Sequence, residues 1–234
     1  MSDTAAPVDP KSLVVRDAAS VIVIRQDTGA PAVLMGMRGA GAAFMPNKYV
    51  FPGGAVDAGD AAIPLAGDLA PACTARLDLP PGATGRGHAL AAAAIRELWE
   101  ETGLRLGQPG TWPGTPPEDW TSFAETGLVP DASALRFLFR AITPPGRPRR
   151  FDARFFIADA ARITGDPDDF SRASDELSHL HWVPLAEVRA LSLPFITEVV
   201  LGEVAALLRE DRLDQTGVAF FDNSTDRPAF RRLT

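Results

Sequence analysis

The sequence is poor in cysteine, histidine and lysine, and it has no long apolar run. Cys73 is the only cysteine, so no disulfide can form within the chain, and a reducing cytosol (a cytoplasmic location) is the simplest compartment. No segment approaches the roughly 18 apolar residues of a membrane helix, and residues 1–11 lack the apolar core of a signal peptide. The histidines show no ligand spacing with the cysteine, which argues against a zinc site. The motif G-x4-G-K-[ST] is absent, which excludes a P-loop nucleotide site.

Positive charge is also scarce, since 23 basic residues face 30 acidic ones and the net charge is −7. Binding to nucleic acid by bulk electrostatics would need the opposite balance, so we expect neither a nucleic-acid partner nor a membrane partner. A hydrophobic fraction of 46% with 23% charged residues is typical of a folded globular protein. The length of 234 residues predicts a single domain, residues 1–234, with sizeable insertions.

Local patterns predict alternating strands and helices, which is typical of the α/β class. β-branched residues at 14–25 and an apolar segment at 33–37, joined by a turn signal, predict a β-hairpin. Residues 89–101 are strong helix formers and are followed by Gly103, the expected helix end. Apolar residues at helical spacing predict a C-terminal helix at about 194–210. Further expected elements are strands at 49–51, 135–142, 151–158 and 180–183, and a short helix at 118–125.

The helix at 89–101 carries three glutamates on one face. Glu97, Glu100 and Glu101 are three and four positions apart, so at about 100° per residue they lie within an arc of about 100°. Like charges at this spacing repel one another, and the helix dipole disfavours anions near the C-terminal end. Two interpretations follow: a solvated acidic face, or a site where a hard divalent cation such as Mg²⁺ offsets the repulsion.

The residues around these glutamates match a known motif in two halves. Residues 96–104, Arg-Glu-Leu-Trp-Glu-Glu-Thr-Gly-Leu, follow the pattern R-E-U-x-E-E-x-G-U, in which U is aliphatic. Residues 54–60 supply the other half, G-x5-E, directly after Phe51-Pro52-Gly53, with Asp60 in the place of the glutamate. The chain is therefore similar to the Nudix hydrolases. This resemblance implies a Nudix fold, in which a mixed β-sheet is sandwiched between helices as an α/β/α sandwich.

Two departures from the motif are informative. Asp60 is one methylene shorter than the usual glutamate, so we expect its contacts to need a small shift or a bridging water. In addition, 35 residues separate Asp60 from Arg96 instead of seven, which places a 28-residue insertion at 61–88. A motif interrupted in this way resembles the branch of peroxisomal-type coenzyme A diphosphatases, and residues 44–54 and 149–156 are similar to that branch as well.

A second signature of coenzyme A diphosphatases matches in part. Leu34, Arg38 and residues 51–54 fall at the spacing of the pattern L-L-T-x-R-(S/A)-x3-R-x3-G-x3-F-P-G-G. Ala43 replaces the second arginine of the pattern, and Asn47 replaces its first glycine. The resemblance therefore favours coenzyme A or an acyl derivative as the substrate. ADP-ribose, a dinucleotide or a nucleoside triphosphate are the alternatives.

The resemblance implies Mg²⁺-dependent hydrolysis of a diphosphate linkage in a nucleoside diphosphate derivative, with Mn²⁺ as a substitute metal. Coenzyme A would yield adenosine 3′,5′-bisphosphate and 4′-phosphopantetheine. The implied metal ligands are Glu97, Glu100, Glu101 and the carbonyl of Gly54. The implied catalytic residues are Glu101, Glu100, Arg96 (which would orient the carboxylates) and Glu176. The residues implied to bind the substrate are Arg38, Phe51, Gly53 and Arg150.

Several assignments stay open at this point. The general base is Glu101 or a carboxylate of the loop that contains Asp175 and Glu176. Arg149 and Arg154 are further candidates for phosphate binding, with a solvated or ion-paired arginine as the alternative. A ligand-sensing module on the same fold, or an isomerase, would be an alternative to a hydrolase. The expected partner is a small nucleotide-derived molecule, and a homodimer is an arrangement common in the family.

Overall fold

The computed structural model describes residues 14–27, 29–41, 45–79, 85–210, 217–225 and 227–234. The described strands are β1 (Val15–Arg25), β2 (Ala32–Arg38), β3 (Tyr49–Val50), β4 (Gly53–Ala55), β5 (Gly107–Pro109), β6 (Leu128–Pro130), β7 (Arg136–Ile142), β8 (Arg150–Asp159), β9 (Leu177–Pro184), β10 (Val218–Asp222) and β11 (Ala229–Leu233). The α-helices are α1 (Pro71–Leu77), α2 (Arg86–Thr102), α3 (Thr121–Ala124) and α4 (Phe195–Arg209). No helix in these described ranges is long and apolar enough to cross a membrane.

Nine of the described strands form one mixed sheet, in the order β11-β10-β7-β8-β1-β2-β3, with β4 paired to β1 and β9 paired to β2. The central strand β1 runs parallel to β8 and antiparallel to β2 and β4. The β1–β2 pairing confirms the predicted hairpin. β5 and β6 form a separate two-stranded sheet.

Alternate residues of β1 point into two different cores. Val21 and Val23 pack with α2, whereas Ile22 and Ile24 pack with α4. Because successive side chains of a strand face opposite sides of the sheet, each face is covered by one of these helices. The predicted α/β/α sandwich is confirmed. Gly103 ends α2 with a φ of 75°, the left-handed conformation that glycine adopts without a steric penalty.

The insertion at 61–88 contains a helix that the sequence pattern does not predict. α1 begins at Pro71, a residue suited to the first helical turn, and it buries Cys73 and Leu77. A helix of seven residues makes only about two turns, too few to show a hydrophobic period. Residues 80–84 of the insertion lie outside the described part of the chain.

Candidate active site

Two successive glycines bring the backbone against both the central strand and α2. Gly53 pairs with Ser20 and Gly54 pairs with Ala19 where β4 meets β1. A Cβ atom at Gly53 would collide with Ser20, and one at Gly54 would collide with the Glu97 carboxylate. Any larger residue would displace Ser20 or the Glu97 carboxylate, so the glycine backbone forms one wall of the space around the glutamates.

Glu101 is the most buried of the three glutamates on α2, with 2% of its surface exposed. Its Oε2 atom accepts a hydrogen bond from the amide of Gly53 at 2.7 Å. Burial raises the pKa of Glu101 to about 8, and the charge of Glu97 adds to the rise, whereas the Gly53 hydrogen bond opposes it. In the absence of a cation, this carboxyl is therefore largely protonated at pH 7.

Glu97 and Glu100 lie beside Glu101 on the same face of α2. Burial raises the pKa of Glu97 to about 7; the charge of Arg96 opposes this rise and that of Glu100 adds to it. Burial also raises the pKa of Glu100, again against the charge of Arg96. Three carboxyl groups thus share a place in which the charged form of each is disfavoured.

Arg96 lies between the glutamates and the first half of the motif, and only 4% of its surface is exposed. Its Nη1 atom donates to Glu97 at 2.9 Å and to Glu100 at 3.3 Å. Its Nη2 atom donates to the carbonyl of Ala55 at 3.1 Å. A single guanidinium therefore holds two carboxylates in fixed positions through charge-assisted hydrogen bonds.

Asp60 pairs directly with Arg96 despite its shorter side chain. The Nε and Nη2 atoms of Arg96 donate to the two carboxylate oxygens of Asp60 at 3.1 and 3.2 Å. A 3₁₀ helix at Ala58–Ala62 carries Asp60, whose Oδ2 atom also accepts from the amide of Asp57 at 2.8 Å. A bridging water is not needed, because this turn presents the shorter carboxyl within direct reach of Arg96.

Glu176 approaches the same place from the loop before β9. Its side chain is exposed, and its charge contributes to the raised pKa of Glu97, of Glu100 and of Glu101, in each case after burial as the main cause. The loop therefore brings a fourth carboxylate close enough to act on the three of α2.

Arg38 ends β2 on the side of the glutamates. Burial dominates the pKa of Glu101, and the charge of Arg38 is one of the effects that oppose it. The Nε atom of Arg38 is buried and has no hydrogen-bond partner among the described residues. Asn47, which replaces a glycine of the second signature, has a φ of 56°, so it adopts a conformation that glycine favours and asparagine tolerates. Ala43 of that signature lies outside the described residues.

Phe51 and Arg150 make contacts away from the glutamates. The Phe51 ring is 4% exposed and packs edge-on against Phe155 in the core beside α4, as its apolar character favours. The side chain of Arg150 donates to the carbonyls of Thr143 and Ser224. The contacts of these two residues are thus packing and loop contacts, and their role in substrate binding stays a prediction.

Arg149 and Arg154 differ sharply in their surroundings. Arg149 is exposed to solvent. Arg154 is 1% exposed, and its Nη1 atom donates to Asp17 at 2.6 Å and to the carbonyl of Asp152 at 2.7 Å. The ion-paired alternative is therefore correct for Arg154, which is not available to a phosphate.

Asp119 is a carboxylate near the site that the sequence does not single out. It lies on the 3₁₀ turn Glu118–Trp120, and its charge adds to the raised pKa of Glu100, after burial and against Arg96. The Nε1 atom of Trp99 donates to Ser122 Oγ at 2.9 Å and thereby ties this segment to α2. No local motif marks Asp119, because only this tertiary contact brings it near.

The donors at this site fit a hard divalent cation. Carboxylate oxygens and a backbone carbonyl are ligands that Mg²⁺ and Mn²⁺ prefer. Within the described ranges, no group of three or more acidic, histidine or cysteine side chains already stands close enough together to hold a metal ion. Arg96 holds Glu97 and Glu100, and the Gly53 amide holds Glu101, so a cation would compete with Arg96 for two of its ligands.

Comparisons with known proteins agree with this geometry. A family model described as the NUDIX domain matches residues 70–201, more than half of the chain. The chain is 30% identical over 180 residues to a Caenorhabditis elegans protein assigned as nudix hydrolase 7, which covers 72% of this chain and 51% of that protein. It is 26% identical over 211 residues to an RNA pyrophosphohydrolase of Brucella anthropi, which covers 88% of this chain and 97% of that protein.

The crystal structure of a NUDIX hydrolase from Alicyclobacillus acidocaldarius is similar with a TM-score of 0.62 and 28% identity, over 86% of this chain and 96% of that one. The chain spans about half the length of the Caenorhabditis elegans relative, and nearly the full length of the two bacterial proteins. The Asp60–Arg96 pair and the three glutamates on α2 are the residues of the Nudix motif. Because the NUDIX model matches more than half of the chain, the chain belongs to the Nudix hydrolase family.

Proposed function

We propose that this protein hydrolyses a diphosphate linkage in a small nucleotide-derived molecule, with Mg²⁺ or Mn²⁺ as the cofactor. The observation that carries the proposal is the crowding of three glutamates beside the Gly53–Gly54 backbone. Two of them, Glu97 and Glu101, have pKa values raised by burial to about 7 and about 8. Crowded, buried carboxylates are costly in their charged form unless a cation binds them, which supports a metal at this place.

The three glutamates would hold the cation, with the carbonyl of Gly54 as a further ligand. A bound divalent cation neutralises phosphate oxygens and makes an attacking water more acidic. Arg96 contributes by fixing two of the carboxylates, and the amide of Gly53 does the same for Glu101. The chain's own part is thus to hold the ligands in place before the substrate arrives.

Two carboxylates are suited to accept the proton of the attacking water. Glu101 is held by the Gly53 amide beside the proposed cation, and burial, which raises its pKa, makes its carboxylate a stronger base than that of an ordinary glutamate. Glu176 is exposed and faces the same region from its loop. Arg38 would bind a phosphate oxygen through its unpaired Nε atom, because a buried donor gains most from an anionic acceptor.

Coenzyme A or an acyl derivative is our first candidate substrate. The partial signature at Arg38 and residues 51–54 and the insertion at 61–88 support it. RNA that carries a terminal phosphoanhydride is the second candidate, because an RNA pyrophosphohydrolase aligns with 88% of this chain over 97% of its own length. The net charge of −7 weighs against a long polyanion and keeps coenzyme A first. ADP-ribose, dinucleotides and nucleoside triphosphates complete the class.

Phosphorus-31 NMR on this panel of compounds tests the proposal. We expect the full chain with Mg²⁺ to convert coenzyme A to adenosine 3′,5′-bisphosphate and 4′-phosphopantetheine, and a chelator to stop the reaction. Conversion of another compound in the panel instead would reassign the substrate within the same chemistry. Binding without turnover of every compound would contradict the proposal and favour a ligand-sensing module.

A further inference from the structure

The loop that carries Glu176, residues 166–176, is fixed in place by contacts with α2 and β1. We call this segment the Glu176 loop. It follows β8 and a 3₁₀ turn at Ala160–Arg162, and it leads into β9. Within the loop, Asp166 Oδ1 accepts from the amide of Asp168 at 2.9 Å, and Asp169 Oδ1 accepts from the amide of Ser171 at 3.0 Å. These local hydrogen bonds stiffen an exposed segment that has no regular secondary structure.

Glu176 itself lies between two anchors that are close to it in sequence. The amide of Ser174 donates to the carbonyl of Glu100 at 3.1 Å and so satisfies a carbonyl in the last turn of α2. On the other side, Leu177 is 3% exposed and pairs with Arg38 across β2 and β9. The backbone on both sides of Glu176 is therefore tied to elements that carry site residues.

Arg172 makes a second contact between the Glu176 loop and the end of α2. A Cβ atom at Gly103 would lie 2.9 Å from the Cβ of Arg172, so the loop rests directly on the glycine that ends the helix. The guanidinium of Arg172 lies over the ring of Trp99, 6.0 Å from its centre. The stem and the head of this arginine thus contact the last turn of α2, which bears Glu100 and Glu101.

The far end of the loop has an anchor of its own. Asp168 forms an ion pair with Arg25 at 3.0 Å, and the guanidinium of Arg25 stacks over Trp182 at 4.2 Å from the ring centre. The loop is therefore held at both ends. Between them, Arg172 contacts the end of α2, the helix that carries the three glutamates.

We propose that Arg172 is a positioning residue, which holds Glu176 beside Glu97, Glu100 and Glu101 by docking the Glu176 loop on Gly103 and Trp99. The inference rests on the proposed function, since it assigns Glu176 to the cation site of that reaction. Glu176 acts on the cation through its charge, and Arg172 acts only through Glu176.

Isothermal titration with Mn²⁺ alone, on the full chain, tests this independently of any substrate. Loss of one negative charge beside a divalent cation predicts about fivefold to tenfold weaker Mn²⁺ binding in Glu176→Gln. Arg172→Ala should weaken binding by a similar factor, although removal of a positive charge by itself would strengthen it. Arg105→Ala is the matched control, because Arg105 and Arg172 line the same small polar cavity of about 40 Å³ at the end of α2.

The double variant Arg172→Ala, Glu176→Gln gives the deciding result. If Arg172 acts through Glu176, the double variant binds Mn²⁺ no more weakly than Glu176→Gln alone. Effects that multiply, or Arg172→Ala binding as the wild type does, would overturn the proposal. Arg172→Gln, which keeps most of the stem, serves the same test if the alanine variant does not fold. Unchanged Mn²⁺ affinity in Glu176→Gln would also overturn it, yet would leave the hydrolase proposal standing, because that proposal depends on the three glutamates of α2.

Discussion

The Asp60–Arg96 pair and the glutamates around Glu101 are both buried charged groups, but they differ in whether the fold supplies the opposite charge. Asp60 and Arg96 are 2% and 4% exposed and neutralise each other through two hydrogen bonds. Glu101 is equally buried, but its neighbours Glu97 and Glu176 have the same sign of charge. Asp60 is balanced by Arg96 inside the fold, whereas the three glutamates outnumber the one guanidinium that contacts them and need a further cation from outside. Internal charge balance therefore separates the supporting part of the site from the part that binds.

Removal of the supporting charge should give the largest loss of stability. Arg96→Met leaves Asp60 buried without a partner, so we expect the free energy of unfolding to fall by about 3–5 kcal/mol. Urea unfolding at pH 7 measures this. The double variant Arg96→Met, Asp60→Leu should recover much of the loss, because neither charge is then left alone. A double variant as unstable as the single one would contradict the balance described above.

At the binding end, we expect a loss of activity without a loss of fold. Glu101→Gln removes a carboxylate that is proposed to bind the cation, and kcat should fall about a hundredfold or more, as for groups that position metal or protons. Circular dichroism should show an unchanged fold. Turnover at the wild-type rate by purified Glu101→Gln would refute the assignment.

Asp60 is one methylene shorter than the glutamate of the motif, and this difference can be tested by a single substitution. Asp60→Glu restores the residue that the family motif usually has, but it adds volume where the 3₁₀ turn already brings the carboxyl to Arg96. We expect it to destabilise the fold by about 1–3 kcal/mol through overpacking. Asp57→Glu is the control, since the Asp57 side chain is 58% exposed. An equal effect of both changes on the urea midpoint would contradict this explanation.

The smallest expected effect is a pH dependence of stability in the metal-free protein. Burial raises the pKa of Glu97 to about 7 and that of Glu101 to about 8, so the folded state retains protons that unfolded glutamates release near pH 4.5. Stability should therefore be highest below pH 4.5 as far as these two groups are concerned, and should fall as pH rises through 7 and 8. Scanning calorimetry should show a melting temperature several degrees lower at pH 8.5 than at pH 6.

Glu101→Gln and saturating Mg²⁺ should each flatten that slope. The amide has no proton to release, and the cation offsets the charge that forms on release. The amide variant should also melt at a higher temperature than the wild type at pH 8.5. A slope that is the same in the variant would show that other groups cause it.

The sequence predicts well those features that depend on neighbours along the chain. The three glutamates share a face because helical geometry fixes their spacing, and the β1–β2 hairpin follows from its turn. The position of Asp119 near the site could not be predicted, because it depends on the hydrogen bond from Trp99 to Ser122. The burial of Phe51 could not be predicted either, because it depends on the contact with the Phe155 ring. The pattern does not indicate β10 and β11, because strands this short give weak signals and β7, the parallel partner of β10, lies far away in sequence.

The Asp60–Arg96 pair also joins the two ends of the insertion. A second hydrogen bond joins them where the His88 ring donates to the carbonyl of Ile63 at 2.8 Å. For a loop whose ends are already joined, each doubling of length costs only about 0.6 kcal/mol of chain entropy. The segment between Ile63 and His88 could therefore change in length at a small entropic cost while the distance from Asp60 to Arg96 stays the same. The gap in the motif is thus a place where the chain could carry a different inserted segment beside the site without moving the three glutamates.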